Sequence, residues 1–593
     1  MSGVDVYTKS VKEIFSFMKS AESIQDAYLR AIKVENLGYL LPASVCHKED
    51  NELISNLALW RNQNVGGYPT QFVATAEGTG IWLEKGLLQV EDRILFLVVD
   101  NQGKVLGHMG FNSCFNNEML FEVDNVVRAE NHLPTKNFFS LAMNAMIEWA
   151  RKTINVSGFF LRVMDENDRA ISFYERNGFV KQEKIPLAKE QEGGVVTYHA
   201  VESSELADKF FLKMAYEPSV ADVGKTMILT AGPSISAKEG VYAYDAAMNG
   251  WNSQWSKYLT KFEQEFAEYV GVKYALATSS CTGALQIALM SLDIGEGDEV
   301  IVPDQTWVAT ANAVRYVGAT PIFADVELDS WNLDASSVEK LITPKTKAIM
   351  PVHMYGHPAR MDKIQAIAKK YNLKIVEDAA PAIGAEWQGK RCGSFGDFAG
   401  FSFQGAKLLV TGEGGMLVTD NEELYKKATK IWDQGRNPSR TFWIDEKGVK
   451  FKMSNVQAAI GLAQLERADE LIEMKRRIFD WYQEGLANVP YIHLNKEVEG
   501  ARSIYWMTSL RLDKDAPISR DQLIQELKTK NVDTRPVFPS ISQYPIWDKK
   551  QNEQPTAFLV GNTAMNLPSG VCLTKAEVMY VCSSIKQILE LCK

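Results

Sequence analysis

The sequence predicts an α/β protein built from more than one folding unit. Three observations carry this: short apolar strands alternate with amphipathic helices, glycine-rich turns punctuate the last two thirds, and 593 residues exceed what one core accommodates. At roughly 100–200 residues per domain, about three or four units fit. A content of 46% hydrophobic and 23% charged residues is ordinary for a globular protein. The formal net charge of −10 disfavours a nucleic-acid partner. Seven cysteines, odd in number and without a Cys-x-x-Cys pair, fit a reducing compartment and argue against a structural metal site. The N-terminus lacks a basic-then-apolar leader, and no apolar run reaches the ~18 residues of a membrane helix. A cytoplasmic protein with no membrane partner is therefore expected.

In the first third, apolar residues over 11–34 (Ile14, Phe15, Met18, Ile24, Ala27, Tyr28, Ala31) recur at helical spacing. Residues 93–100 form an apolar strand, and the turn signal ending at Gly103 joins it to a second strand over 105–111. A strand over 119–127, a helix over 136–154, a strand over 159–163 and a helix over 167–178 follow. Residues 203–216 carry a helical pattern, and turn residues over 217–224 place a domain boundary near Pro218.

This order, with the segment Asn167-Asp-Arg-Ala-Ile-Ser-Phe-Tyr-Glu-Arg-Asn-Gly-Phe179, resembles the GNAT family of acyl-CoA-dependent N-acetyltransferases over roughly residues 37–200. The resemblance implies that the strand ending at Val127 offers backbone groups to the acetyl-CoA arm. The helix start at Lys136 and Asn137 would take the pyrophosphate, as helix N-termini do for anions. Asn167 would contact acetyl-CoA, Tyr174 would protonate the departing thiolate, and Glu122 would relay a proton from the amine. The stretches Trp60-Arg-Asn62 and Tyr68-Pro-Thr-Gln71 lie where the acceptor side is built. One departure stands out: the family's pyrophosphate loop is glycine-rich, whereas residues 128–136 contain no glycine. Ala129 and Thr135 leave room for backbone amides, Lys136 supplies positive charge and Glu130 opposes it.

In the last two thirds, strands over 274–278, 300–302, 348–352, 374–376 and 398–403 each end in chemistry-bearing residues. Lys407 stands between an apolar strand and the turn Thr411-Gly-Glu-Gly-Gly415, which leads into a strand over 415–419. In α/β sheets ligands bind beyond the strand carboxyl ends. A lysine there can lose its proton by desolvation and act as a nucleophile toward an aldehyde. Taken singly, Lys407 reads as a surface lysine, Asp378 as a helix cap, Trp307 as core and Thr282-Gly283 as an ordinary helix start. Together they form the set that pyridoxal 5'-phosphate needs: an amine, a carboxylate for the ring nitrogen, a flat aromatic, and a small-residue helix start for the phosphate.

Residues 227–593 resemble the DegT/DnrJ/EryC1/StrS family of sugar aminotransferases. The resemblance rests on Gly297-Asp-Glu-Val-Ile-Val-Pro303, His353-Met-Tyr-Gly356, Glu377-Asp-Ala-Ala380, Phe401-Ser-Phe403 with Lys407, Met453-Ser-Asn-Val-Gln-Ala-Ala-Ile-Gly461 and Arg535-Pro536. It is nearest to perosamine-synthase-like members, which act on nucleotide-linked 4-keto-6-deoxy sugars. The resemblance implies fold type I: a large domain over 218–470 with a mainly parallel seven-stranded sheet, and a smaller α/β domain over 471–593, after a GNAT-like domain over 1–217. It implies that Ser402 binds the phosphate with Thr282, and that Lys450, where many members have asparagine, reaches it across a homodimer interface. Pro381 stands where relatives carry Gln, His or Glu. Lys407, where dehydratase relatives have histidine, favours transamination with L-glutamate as donor. The expected protein is thus bifunctional, aminating a nucleotide-linked keto sugar and N-acetylating the amine in surface-polysaccharide synthesis. The alternative is an aminotransferase with a non-catalytic N-terminal module.

Overall fold

A computed structural model describes residues 3–129, 133–217, 223–547 and 554–592. The boundary expected near Pro218 and the charge opposition expected from Glu130 lie outside these residues. The chain forms two compact units: Met1–Ala221 with Ile235–Val241, and Asp222–Ser234 with Tyr242–Lys593.

The first unit is built on a ten-stranded sheet. Strands Ile94–Asp100, Val105–Asn112 and Leu120–Arg128 form an antiparallel meander, whose first turn closes at Gly103 with φ +84°. Leu120–Arg128 then pairs in parallel with Gly158–Met164. A parallel pair needs a long crossover, and the helix Phe138–Thr153 supplies it. Its apolar face buries Phe138, Phe139, Ala142, Met146 and Ala150. The core is largely aromatic. Phe121 is fully buried, with ring centroids 5.0 Å from Phe111, 5.7 Å from Phe15 and 6.2 Å from Phe159.

Two expectations fail here. Residues 11–34 are not one helix. The helix Gly3–Lys19 stops, Ile24–Leu29 starts afresh on Ser23, whose hydroxyl accepts the Asp26 N–H, and Ile32–Val34 is an edge strand. The Ser23 cap breaks a periodicity that looked continuous. Residues 203–216 are not a helix either. After a single turn, Ser204–Leu206, the strand Lys209–Tyr216 inserts between Gly158–Met164 and Phe179–Glu192. Leu212 and Met214 are buried at period two, and two waiting strand edges decide the conformation.

The second unit carries the seven-stranded sheet. Its order is Tyr274–Thr278, Gly415–Thr419, Phe398–Ser402, Lys374–Asp378, Thr346–Ile349, Glu299–Pro303, Thr320–Ala324. The last five are mutually parallel, and Gly415–Thr419 runs antiparallel to both its neighbours. The neighbouring strands Phe398–Ser402 and Gly415–Thr419 are buried throughout. A Cβ on Gly415 would come within 2.5 Å of the Ser280 and Cys281 backbone, so only glycine lets this strand pass beside the helix start. A four-stranded sheet lies further along the chain, ordered Ile492–Leu494, Ser509–Leu512, Ala564–Asn566, Arg535–Pro536.

Truncating a buried phenylalanine costs about 3–5 kcal/mol. Phe121→Ala should therefore accelerate amide hydrogen exchange across the meander at 94–128. The strands at 398–419, with a separate core, should keep wild-type protection, as peptide-level mass spectrometry would show.

Candidate functional site

In the second unit, four chain segments converge at the strand carboxyl ends. Glu377 and Asp378 close one strand and point to opposite faces by the pleat. Glu377 is fully buried. It accepts the N–H groups of Gly393, Phe395 and Gly396 at 2.7–2.8 Å, and His353 Nε2–H at 3.0 Å. His353 Nδ1 accepts the Ala359 N–H, which places the ring proton on Nε2. Asp378 Oδ2 accepts the Thr310 hydroxyl at 2.7 Å, and Oδ1 accepts the Ala380 N–H at 3.2 Å. Burial pushes the Asp378 carboxyl up; the Thr310 and Ala380 bonds and the charge on Lys407 pull it back.

Lys407 stands in the turn after Phe398–Ser402, its N–H bonded to the Gln404 carbonyl. Its Nζ lies 3.8 Å from the centroid of the Trp506 ring, and the indole N–H of Trp506 donates to the Ala406 carbonyl at 2.8 Å. Burial pulls the Lys407 amine down to about 8, against the charge of Asp378. The helix Cys281–Ser291 begins beside them, with Cys281 Sγ 4.0 Å from Asp378 Oδ1. The Gly283 amide is taken by Ser280 Oγ at 3.1 Å. Among the described residues, the hydroxyls of Thr282 and Ser402 donate to no acceptor. Trp307 is 56% exposed and begins a row of rings through Phe538 (5.5 Å) and Tyr355 (5.7 Å) to Trp506 (6.0 Å).

In the first unit, Leu120–Arg128 pairs with Gly158–Met164 only at residues 120–122 and 158–160. Asn125 and Val126 share the single opposing residue Met109, and Asn125 adopts φ +52°, a bulge that turns the strand away. A cavity of about 910 Å³ opens here, lined by Val123 to Val127, Val163, Asn167 and Tyr174. Asn167 Oδ1 caps its helix by accepting the Ala170 N–H, leaving the amide Nδ2. Burial, reinforced by the charge of Asp124, pushes the Tyr174 phenol up, so it remains a proton donor. On the acceptor side, the Arg61 guanidinium lies over the Tyr68 ring (4.0 Å) and the Phe72 ring (4.7 Å).

Residues 233–586 match the DegT/DnrJ/EryC1/StrS aminotransferase family. The chain belongs to this family. Residues 57–179 match the acetyltransferase (GNAT) family. The protein is thus a pyridoxal-phosphate-type sugar aminotransferase with a GNAT acetyltransferase domain. It is 41% identical over 369 residues to GDP-perosamine synthase of Caulobacter vibrioides, covering 61% of this chain and 98% of that protein. It is 43% identical over 355 residues to GDP-perosamine synthase of Escherichia coli O157:H7, covering 60% and 96%. Among solved structures, S. venezuelae DesV in complex with a ketimine intermediate is similar, with TM-score 0.56 and 32% identity over 60% of this chain and 95% of that one.

The DegT/DnrJ/EryC1/StrS crevice thus brings Lys407, Asp378, Thr282 and Ser402 together, with Trp307 at its mouth. Gly283 contributes a close approach to the Phe451 ring rather than a free amide. Lys450 is exposed, and among the described residues its side chain makes no ion pair. In the GNAT domain Glu122, Val127, Asn167 and Tyr174 line the cavity, whereas Lys136 and Asn137 do not. Asn137 starts the helix Phe138–Thr153 without a side-chain capping bond. Thr310 and Trp506 escaped the sequence reading. Thr310 could have been found as the hydroxyl one turn past Trp307; Trp506 carries no local signal. The crevice fits pyridoxal phosphate: a depressed amine, a buried carboxylate, and two hydroxyls, Thr282 at a helix start and Ser402 at a strand end. When bound, the group supplies an electron sink.

A hydrogen bond to a charged group is worth about 1.5–3 kcal/mol. Thr310→Val should raise the Asp378 carboxyl further, leave less of it ionised at neutral pH, and weaken pyridoxal phosphate binding roughly tenfold or more. Thr310→Ser should restore it; absorbance titration of the apo-protein measures both.

A lysine held near 8 is neutral above that pH and protonated below it. Capture of pyridoxal phosphate by the apo-protein should speed up roughly tenfold per pH unit below this point and level off above it. A rate still climbing towards the ordinary lysine value of 10.5 would contradict the burial argument.

Proposed function

We propose that the second unit transfers an amino group from L-glutamate to a nucleotide-linked 4-keto-6-deoxy sugar. The first unit then acetylates that amine with acetyl-CoA, within surface-polysaccharide synthesis. The observation that carries this is the coexistence, on one chain, of the Lys407–Asp378 crevice and the splayed cavity of a GNAT domain. The primary amine made by the first chemistry is the substrate class of the second. Similarity to two GDP-perosamine synthases at about 40% identity supports a GDP-linked sugar.

With pyridoxal phosphate bound, Asp378 would hold a proton on the ring nitrogen, and Thr282 and Ser402 would donate hydroxyls to the phosphate. Lys407 Nζ, neutral in part at physiological pH, removes the proton from the amino donor's Cα and returns one to the sugar carbon that becomes aminated. Trp307 covers the open face of the site. In the first unit, backbone groups of Val123 to Val127, on the edge that no longer pairs with Gly158–Met164, hold the acetyl-CoA arm, with the Asn167 amide beside it. The pyrophosphate sits over the uncapped helix start at Asn137, where Lys136 adds charge. Tyr174 gives its proton to the departing sulphur. The working form is a homodimer in which Lys450 reaches the phosphate held by the neighbouring subunit. Exposed Phe442, Trp443 and Ile444 on the preceding segment support such an interface. A second reading, an aminotransferase with a non-catalytic GNAT module, draws on the glycine-free sequence at 128–136.

Mass spectrometry of one mixed reaction separates the two. With pyridoxal phosphate, glutamate, acetyl-CoA and a panel of GDP-, dTDP- and UDP-linked 4-keto-6-deoxy sugars, an N-acetylated amino sugar is expected. A bare amino sugar would favour the second reading. Lys407→Ala should abolish amine formation while acetylation of a supplied amino sugar continues; persistent amine formation would overturn the role of Lys407.

A further inference from the structure

An amine that attacks a thioester must shed protons, and two carboxylates, Glu122 and Asp124, stand on the strand that walls the cavity. They are not equivalent. Both oxygens of Glu122 are taken by Arg162, whose Nε and Nη2 donate at 2.7 and 2.8 Å. A carboxylate clasped on both oxygens by a guanidinium is a poor proton acceptor. Asp124 is clasped by no guanidinium. Its Oδ2 accepts the Asn125 side-chain amide at 2.7 Å and lies 3.6 Å from Arg93, and the Asn125 backbone N–H adds a further bond to the carboxyl. Arg93 is itself engaged, its Nε by Asn112 Oδ1 and its Nη1 by the Gly86 carbonyl.

The charged and titratable groups around Asp124 are Arg93, just before the meander's first strand, Glu122 and Arg162, the Cys114 thiol, and the phenols Tyr68 and Tyr174. Burial outweighs the two arginines and holds the Asp124 carboxyl above its usual range, with Glu122 adding to the rise. Across the strand pair, His108 donates Nδ1–H to the Asn125 carbonyl. Burial holds His108 neutral, down to about 4, so it adds no positive charge here.

Resting on the acetyltransfer reading above, we propose that Asp124, not Glu122, is the base that deprotonates the sugar amine. The acceptor arrives as an ammonium and leaves as an amide N–H, so two protons depart. Asp124 Oδ1 takes the first, freeing the nitrogen lone pair to form the N–C bond at the acetyl carbonyl. As the C–S bond breaks, Tyr174 protonates the sulphur, and the second nitrogen proton restores Tyr174 through water. Asp124 discharges its proton to solvent, and the products are the acetamide and free thiol.

The test uses the full chain, with acetyl-CoA, the amino sugar made by its own aminotransferase reaction, and thiol release followed from pH 5.5 to 9. Asp124→Asn should lower kcat about 10²–10⁴-fold and erase the acidic limb of the pH profile. Calorimetric affinity for acetyl-CoA and the aminotransferase rate should stay within about twofold of wild type. Glu122→Gln should keep the acidic limb. A limb that survives in Asp124→Asn, or disappears in Glu122→Gln, overturns the assignment. If wild type acetylates no amino sugar, the acetyltransfer reading fails by itself, and infrared difference titration still judges the carboxylate. Asp124→Asn must remove a carboxyl band that titrates above the ordinary aspartate range. No such band, or its loss in Glu122→Gln, refutes the proposal.

Discussion

Glu377 accepts four hydrogen bonds, three from loop amides and one from His353, at a position with no solvent exposure. An unpaired charge there would cost several kcal/mol; with its partners complete, the carboxylate pins the loop at 393–396 to the strand end. His353 extends the tie to Ala359, and the Asp378 N–H donates to the Pro351 carbonyl, so adjacent strand ends are fastened together. The pleat then does the rest. Because Glu377 faces the anchor, Asp378 must face the opposite side, towards Thr310 and Cys281.

On that rigid frame, desolvation sets protonation. The same burial lifts the Asp378 carboxyl and lowers the Lys407 amine, because in each case it opposes the charged form. Their mutual attraction works the other way, pulling the carboxyl down and the amine up. The GNAT cavity applies the same rule to different groups. Burial holds the Tyr174 phenol protonated and His108 neutral.

What could be read from the sequence was whatever the chain announces locally. Lys407 before a glycine-rich turn, Glu377-Asp378 after an apolar run and Ser280-Cys-Thr-Gly283 before a helix all sit at strand ends, where spacing alone predicts a crevice. Thr310 and Trp506 were hidden because their roles are contacts across 68 and 100 residues of chain. The strand Lys209–Tyr216 was misread for the same reason: its partners are two strands already laid down, not its own neighbours. Glu122 was legible as an acidic residue on the right strand, yet its capture by Arg162, 40 residues on, was not.

Both sites use the start of a helix that carries the chain between two strands running the same way in one sheet. A parallel pair cannot be closed by a tight turn, so the chain must leave the strand end, enter a helix and return. The helix therefore starts near the strand end. In the first unit that start is Phe138–Thr153, after the strand that parts from Gly158–Met164; in the second, Cys281–Ser291 leaves the edge strand Tyr274–Thr278 for Glu299–Pro303 across the sheet, and begins beside Asp378. The two differ in how the crevice is opened. The aminotransferase sheet stays paired and uses residues beyond its strand ends, whereas the GNAT sheet breaks its own pairing after three residues and exposes backbone. A flat ring held by side chains suits the first arrangement, and an extended arm held by backbone hydrogen bonds suits the second.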